Sequence, residues 1–561
     1  MSLWNAIASK LKEVWAKMLG SKTIESTLKV SPSISTEMEN AILLWGRMYQ
    51  GKAPWVKEPT SEDPNRVVSL GLPAMIASEK ARTALLEWSS EITTPTESVE
   101  VENPNYTAPQ PDMFGNMLPS TEPPTISKEQ PVGDTSRAEF LNDQYEKKLK
   151  TKLRNQLEIG MAKGGFVIKP YPIIHEGKEG ADTTAEIEFD FIQADSFYPI
   201  SFDVSGRITE AAFVQTKKDK DNTYRRLEYH KWNGNSVEIV NKAFVKANES
   251  GRYSVPKTDD DESLGKEIKL TEVPEWADLQ EKTTIANVDR PLFAYFKVPE
   301  ANIIDPTSSL GASCFARAAS LIHDADEQYS RLLWEFEGGE MAIDIDRDAI
   351  RPEMDSRGNV IRQMDAHQNR LYRKIDISNT GETYFPYAPQ LRDASYTSGL
   401  NTILMRIEDV CAISRGTLSD GAAEARTATE LKILKHRSYE SNAEIQSSLE
   451  SVLRDVIYIA DVYCDLYNIT PKGEYDVSFE WDDSLLVDKE TELSTRMAME
   501  QQGLISKLEL RMWYFGETEN QAKEALAKVD AETQQNMEQQ MAMQANQIRM
   551  ANQNQQEAEE E

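Results

Sequence analysis

Apolar positions along this chain change period several times, and each change marks an element. Residues 36–50 (TEMENAILLWGRMYQ) and 66–92, whose apolar members are Leu72, Met75, Ile76, Leu85, Leu86 and Trp88, carry the three-and-four spacing of helices. From Thr94 to Asp134 large apolar residues thin out among Pro, Thr, Glu and Asn. That composition predicts an insertion loop with too little apolar surface to order itself well. A helix returns over 136–162 and ends at Gly164-Gly165, handing over to a strand, GFVIKPYPII. From 184 to 300 the runs AEIEFDFIQ, SFYPISF, EAAFVQTKK, YRRLEYHKW, SVEIVNKAF and PLFAYFKV alternate with period two, as in an antiparallel sheet with one wet face. Asn233-Gly234 marks a hairpin turn, and the acidic, Lys-rich 255–275 reads as a surface excursion.

At 312 the spacing reverts. Phe315, Ala318, Ile322, Ala325, Tyr329, Leu332 and Phe336 form a narrow stripe over 312–336, a rod of roughly 37 Å that stops at Gly338-Gly339. Residues 340–388 alternate like short strands. A second rod, 391–414, carries Leu400, Ile403, Leu404, Ile407, Val410 and Cys411, and a third helix runs from Thr427 to about Leu466. Between these two rods lies RGTLSDGAAEARTATE (415–430), small and polar, which predicts a mobile loop hung between rigid elements. EYDVSFEWDDSLL after Gly473 reads as a strand, 488–529 as helices turning at QQGLIS, and the Gln- and Glu-rich end as an outward helix or a disordered tail. In the first twenty residues Leu3, Trp4, Ile7, Leu11, Val14, Trp15 and Met18 make an amphipathic helix. It suits docking on the fold or on a neighbouring subunit, with a membrane surface as the rarer alternative.

At 561 residues the chain is too long for one core, so two to four structural units are expected. Lys+Arg 62 against Asp+Glu 93 gives a net charge of -31, which argues against tight nucleic-acid binding over a broad surface but lets a duplex slide past a repulsive wall. Cys314, Cys411 and Cys464 sit in apolar helical patterns without CxxC spacing and read as reduced, buried thiols. No apolar run is long enough to span a membrane, and no membrane partner is expected. The usual catalytic constellations are missing. There is no P-loop, and GTLSDG has one residue too many for a nucleophile elbow. The five histidines show no metal-ligand spacing. Asp344, Asp346, Asp348 and Asp355 lack the Gly and Glu of a calcium loop; they read as the wet face of a strand whose other face is Met341, Ile343 and Ile345. Neither enzymatic activity nor a cofactor or metal is expected.

The order of elements resembles the portal proteins of tailed double-stranded-DNA bacteriophages, in the branch found in siphoviruses of gram-positive hosts. The resemblance covers roughly 136–530. It is carried by FLNDQYEKKLKTKLRNQLEIGMAKGG, PLFAYFKVPEANIIDPTSSLGASCFARAASLIHDADEQYSRLLWEFEGG, TATELKILKHRSYESNAEIQSSLESVL and FEWDDSLLVDKETELSTRMAMEQQGLISKLELRMWYFGETENQAKEAL. The 94–134 insert and the Gln-rich tail depart from the family pattern.

The resemblance implies an α+β portal fold and a homo-oligomeric ring, usually of twelve, at one capsid vertex of the virion. Double-stranded DNA would pass through it, without sequence specificity, in packaging and ejection. Implied partners are the terminase large subunit, a head-completion or adaptor protein, and the major capsid and scaffolding proteins, with assembly in the host cytoplasm. By position, 1–24 is an N-terminal amphipathic helix and 25–311 the wing, with a flexible insertion at 94–134. Residues 312–339 and 389–414 are the stem helices on either side of the clip, 340–388. Then come the tunnel loop at 415–426, the long helix and a wing strand at 427–487, the helical crown at 488–530 and the tail at 531–561. The loop residues facing DNA would be Arg415, Gly416, Thr417, Leu418, Ser419, Asp420, Gly421, Glu424 and Arg426. Clip residues meeting terminase or adaptor would be Asp344, Asp346, Arg347, Asp348, Arg351 and Arg362. Two other readings stand beside it: another oligomeric phage structural protein, such as a connector or baseplate component, and a soluble hydrolase with an unrecognised carboxylate pair.

Overall fold

The computed structural model describes residues 27–529, apart from 60–65, 103–124, 176–183, 248–263, 347–352, 363–371, 376–383, 421–427, 482–488, 517–521 and a few isolated positions. The expected N-terminal helix and the C-terminal tail lie outside the described residues. The chain divides into two compact units, Met1–Trp481 and Asp482–Glu561.

The first unit opens with α1 (Thr36–Tyr49) and α2 (Leu72–Ala84), then β1 (Trp88–Thr93), β2 (Thr96–Glu102) and β3 (Thr125–Pro131). Helix α3 (Ser136–Gln144) runs through a π turn into α4 (Thr151–Lys163). Strands β4 (Gly165–His175), β5 (Thr184–Gln193), β6 (Phe197–Phe202), β7 (Ile208–Lys218), β8 (Asn222–Trp232), β9 (Ser236–Ala247), β10 (Lys266–Ile268), β11 (Lys282–Ala286) and β12 (Ala294–Lys297) follow. Next are α5 (Ala319–Gly338) and the short strands β13 (Ala342–Asp346), β14 (Glu353–Met354), β15 (Val360–Arg362), β16 (Tyr372–Ile375) and β17 (Tyr384–Tyr387). Helices α6 (Asp393–Val410) and α7 (Ala428–Leu466) and strand β18 (Asp476–Trp481) complete the unit.

The helices form where their apolar stripes meet the main core. In α1, Met38, Ala41, Leu44, Trp45 and Met48 are buried, and the Ser35 hydroxyl accepts from Met38 N at the start. Strands β6 to β10 make an antiparallel sheet in chain order with β11 added to β9, while β12, β4 and β5 make a second sheet in that order. Helix α4 ends at Gly164, whose φ is +94° and whose Cβ would come 2.4 Å from Gly311 O, so two glycines let the chain cross itself where α5 is about to begin. The Arg137 guanidinium, 1% exposed, bonds Asp461 and Asp465 and fastens α3 to the end of α7.

Several expectations are corrected. The helix placed over 66–92 ends at Ala84, because Trp88, Ser90 and Ile92 pair with Trp481, Phe479 and Val477 of β18, and Trp88 stacks on Trp481 at 5.3 Å. A partner almost four hundred residues away outweighs local helix spacing. The arms of the 94–134 insertion form a regular ribbon, β2 against β3 from Thr96–Pro131 to Glu102–Thr125. Within the surface excursion, Leu270 and Val273 are buried beside Ala243 and Trp276, so its end is packed structure. The hairpin between β8 and β9 turns at Gly234-Asn235, one residue later than expected, with Asn233 N donating to Ser236 O. The first rod starts as helix only at Ala316; Phe315 before it is fully buried in the core.

In the second unit α8 (Lys489–Gln501) and α9 (Lys507–Phe515) are joined through Gly503, in the left-handed region at φ +72°. Ser506 and Glu509 cap α9 reciprocally, and Arg496 lies over Trp513.

Candidate functional site

Helices α5 and α6 pack against each other as a hairpin about 30 Å long, by the rise of 20 residues in α5. Its near end is built into the core. Phe315, Ala318, Ile322, Ala325 and Ile407 are all fully buried, with Cys411 1% exposed. Along α5, Asp326 accepts from Trp55 Nε1 at 2.9 Å and Leu70 N at 2.8 Å, while Ser330 Oγ accepts from Val68 N. Burial pushes the Asp326 carboxyl up, against the pull of these two donors. The sequence stripe therefore buries itself at its start and uses polar side chains in the middle.

Towards the far end Phe336 of the stripe emerges, together with large apolar side chains outside it. Trp334 is 64% exposed, Phe336 46%, Met341 60% and Leu391 42%. Glu335 clamps this end: it accepts from Arg392 N at 3.0 Å, Nε at 3.1 Å and Nη2 at 2.7 Å. A groove of about 700 Å³ runs beside α5, lined by Lys57, Val67, Val68, Leu333, Trp334 and Tyr396 among others.

Beyond the clamp, β13 lies between β17, antiparallel, and β16, parallel. Asp344 is paired with Arg373 and Phe385 and Asp346 with Ile375, whereas Arg362 lies in β15 opposite Glu353. Thus Asp344 and Asp346 fall on one ladder and Arg362 on a separate ribbon. Arg347, Asp348 and Arg351 lie outside the described residues. At the start of β13 Ala342 is buried and Met341 exposed, which reverses the expected sides at that end of the strand.

The loop after α6 differs most from expectation. The helix stops because Ala412 takes φ +52° and Ile413 N bonds back to Glu408 O, a C-terminal closure that usually recruits glycine. The chain then folds back on α6. One oxygen of Glu408 accepts from Gly416 N at 3.1 Å, Leu418 N at 2.6 Å and Ser419 N at 2.9 Å, and the other from Ser419 Oγ at 2.7 Å. Glu408 is fully buried and Ser419 8% exposed. Arg415 makes a two-pronged pair with Asp409, and Asp420 N donates to Asn401 Oδ1 at 2.8 Å. Residues 415–420 are therefore tied to the helix, correcting the picture of a loop free from Arg415 onward. Gly421, Glu424 and Arg426 lie outside the described residues. Sequence reasoning missed Glu408, whose signal is an acid beside Ile407 in the core-facing turn, followed by a small-residue run.

Elsewhere, a cleft of about 280 Å³ between the two sheets is lined by Lys169 of β4 and Arg226 and Glu228 of β8. Burial would raise the Glu228 carboxyl, but Lys169, Arg226 and His230 around it hold it well below the carboxylate range, so these charges satisfy one another. Among the described residues no group of His, Cys, Asp or Glu is arranged to hold a metal ion.

The pattern of the family described as "Phage portal protein, SPP1 Gp6-like" matches residues 40–539, nearly the whole chain. The chain belongs to the phage portal protein family. Its matched span includes the α5–α6 hairpin, the strands beyond it and the loop held by Glu408. Portal-family proteins are structural components of the phage capsid. No curated protein matches the chain closely enough to add to this. No helix among the described residues is long and apolar enough to cross a membrane.

Proposed function

We propose that copies of this portal-family chain close into a ring around an axial channel at one capsid vertex, through which double-stranded DNA enters in packaging and leaves at infection. In that ring α5 and α6 are the stem helices. Residues 340–388 are the clip that docks the terminase large subunit and later the head-completion or adaptor protein. The loop at 415–426 faces the DNA, α7 crosses the wing towards the channel, and α8 and α9 belong to the crown. The major capsid and scaffolding proteins would meet the outside of the ring during assembly in the host cytoplasm.

The observation that carries this reading is the exposure of Trp334, Phe336, Met341 and Leu391 on the far half of a hairpin whose near end is buried. Trp334 and Phe336, two positions apart, point to different sides of the helix, and a rotational array of identical hairpins gives each hairpin a neighbour on either side to bury them. A net charge of -31 per copy would surround the duplex with repulsion, allowing passage without grip.

Electron microscopy of the purified protein, with its mass measured, tests the ring. Closed rings near twelve times 63.5 kDa support it. A chain that stays at 63.5 kDa even with capsid and scaffolding proteins present would overturn it. Deleting 421–426 should leave rings intact and impair DNA packaging or retention; normal packaging by that deletion sinks the loop's role.

A further inference from the structure

We propose that Glu408 is a positioning residue: its buried carboxylate fixes the entrance of the loop to α6, so that any displacement at the base of that helix carries residues 416–420 with it. The proposal rests on the reading of this loop as the element that meets DNA.

A carboxylate inside a core is costly unless its lone pairs are filled. Those of Glu408 are filled entirely from the loop, by the backbone N–H groups of Gly416, Leu418 and Ser419 and by the Ser419 hydroxyl. Three N–H groups converge on one oxygen because Gly416 takes φ +87°, a conformation that turns successive amides inward as an anion-binding nest. The nest's anion is here supplied by the preceding helix. Two more ties come from that helix: Asn401, two turns earlier, accepts from Asp420 N, and Asp409 holds Arg415. Leu418 packs against the main core as well.

Attachments at 401, 408 and 409 bind the entrance along the last turns of α6 as one rigid piece. Small residues alone would have left the loop decoupled from the helix. With Glu408 in place, movement of the stem helix reaches the loop entrance without slack.

The test uses the full-length chain assembled as it assembles in the wild type. Glu408→Gln is nearly isosteric and keeps one acceptor oxygen while removing the charge; Ser419→Ala removes one donor. Hydrogen exchange at the Gly416, Leu418 and Ser419 amides should accelerate roughly tenfold or more in Glu408→Gln, as expected for hydrogen bonds to a charged group, and less in Ser419→Ala. Assembly and exchange along α5 should be unchanged. DNA packaged or retained per particle should fall in the same order. Unchanged exchange overturns the latch. Faster exchange with wild-type packaging overturns the positioning role, leaving a structural tie only. If Glu408→Gln fails to assemble, Ser419→Ala decides by the same two readouts. Normal packaging by the 421–426 deletion would sink the channel-loop reading without touching the exchange result, so the two failures are separable.

Discussion

The two ends of the α5–α6 hairpin carry the same kind of sequence and meet opposite fates. At the near end Phe315, Ile322 and Ile407 are fully buried by the chain itself, and even an acid, Glu408, is satisfied there by the loop that follows. At the far end Phe336 continues the α5 pattern into solvent, Trp334 is exposed on another side of the helix, and Glu335 clamps Arg392. An amphipathic stripe records that a face will be covered; it does not record whether the cover lies in the same chain.

The comparison breaks most visibly at Phe315. Truncation by Phe315→Ala should cost about 3–5 kcal/mol in chemical denaturation, since it empties a closed core. A loss below about 1 kcal/mol would mean the near end is not the built-in part of the hairpin. Trp334→Glu should move the folding free energy of the single chain by less than about 0.5 kcal/mol, yet abolish large assemblies in mass measurements. Wild-type assembly by that variant would show that exposed Trp334 has another use.

Smaller effects concern the clamp. Hydrogen bonds from Arg392 hold the Glu335 carboxyl below its usual range. A depressed carboxylate contributes stability above its unfolded pKa and loses it as pH falls through the folded value. Glu335→Gln should therefore lower Tm slightly near neutral pH, and the gap from wild type should close on acidification. A gap that widens in acid would assign the clamp to shape instead of charge. Smallest of all, the thiols should be silent. Burial pushes Cys411 and Cys464 up to about 12 and Cys314 well up, so alkylation at neutral pH should require unfolding. Rapid modification of Cys314 or Cys411 in the folded protein would show that the near end opens.

Much of the order of elements was legible because it rests on local periodicity. The second rod, the long helix ending at Leu466, the strand after Gly473 and the turn at QQGLIS appear within a few residues of their expected places. So do the strands of 184–300. The misplaced pieces share one cause. Trp88 and Ile92 fit a helix by spacing and a strand by partner, and the partner is β18. Leu270 and Val273 looked like an exposed excursion because the residues around them are charged, yet β9 offers them a surface.

The sequence by itself determined the type of most segments, that the chain is acidic, and that long ordered matches tie it to the portal family, because each of these depends on neighbours along the chain or on composition. Tertiary structure alone decided where the apolar stripe of the hairpin stops being covered, that Gly164 and Gly311 must cross without side chains, and that Glu408 captures three amides of the loop. Those outcomes depend on which surfaces meet in space. A carboxylate at position 408 reads as solvent-facing until the fold brings Gly416, Leu418 and Ser419 within hydrogen-bond distance and leaves it no water to prefer.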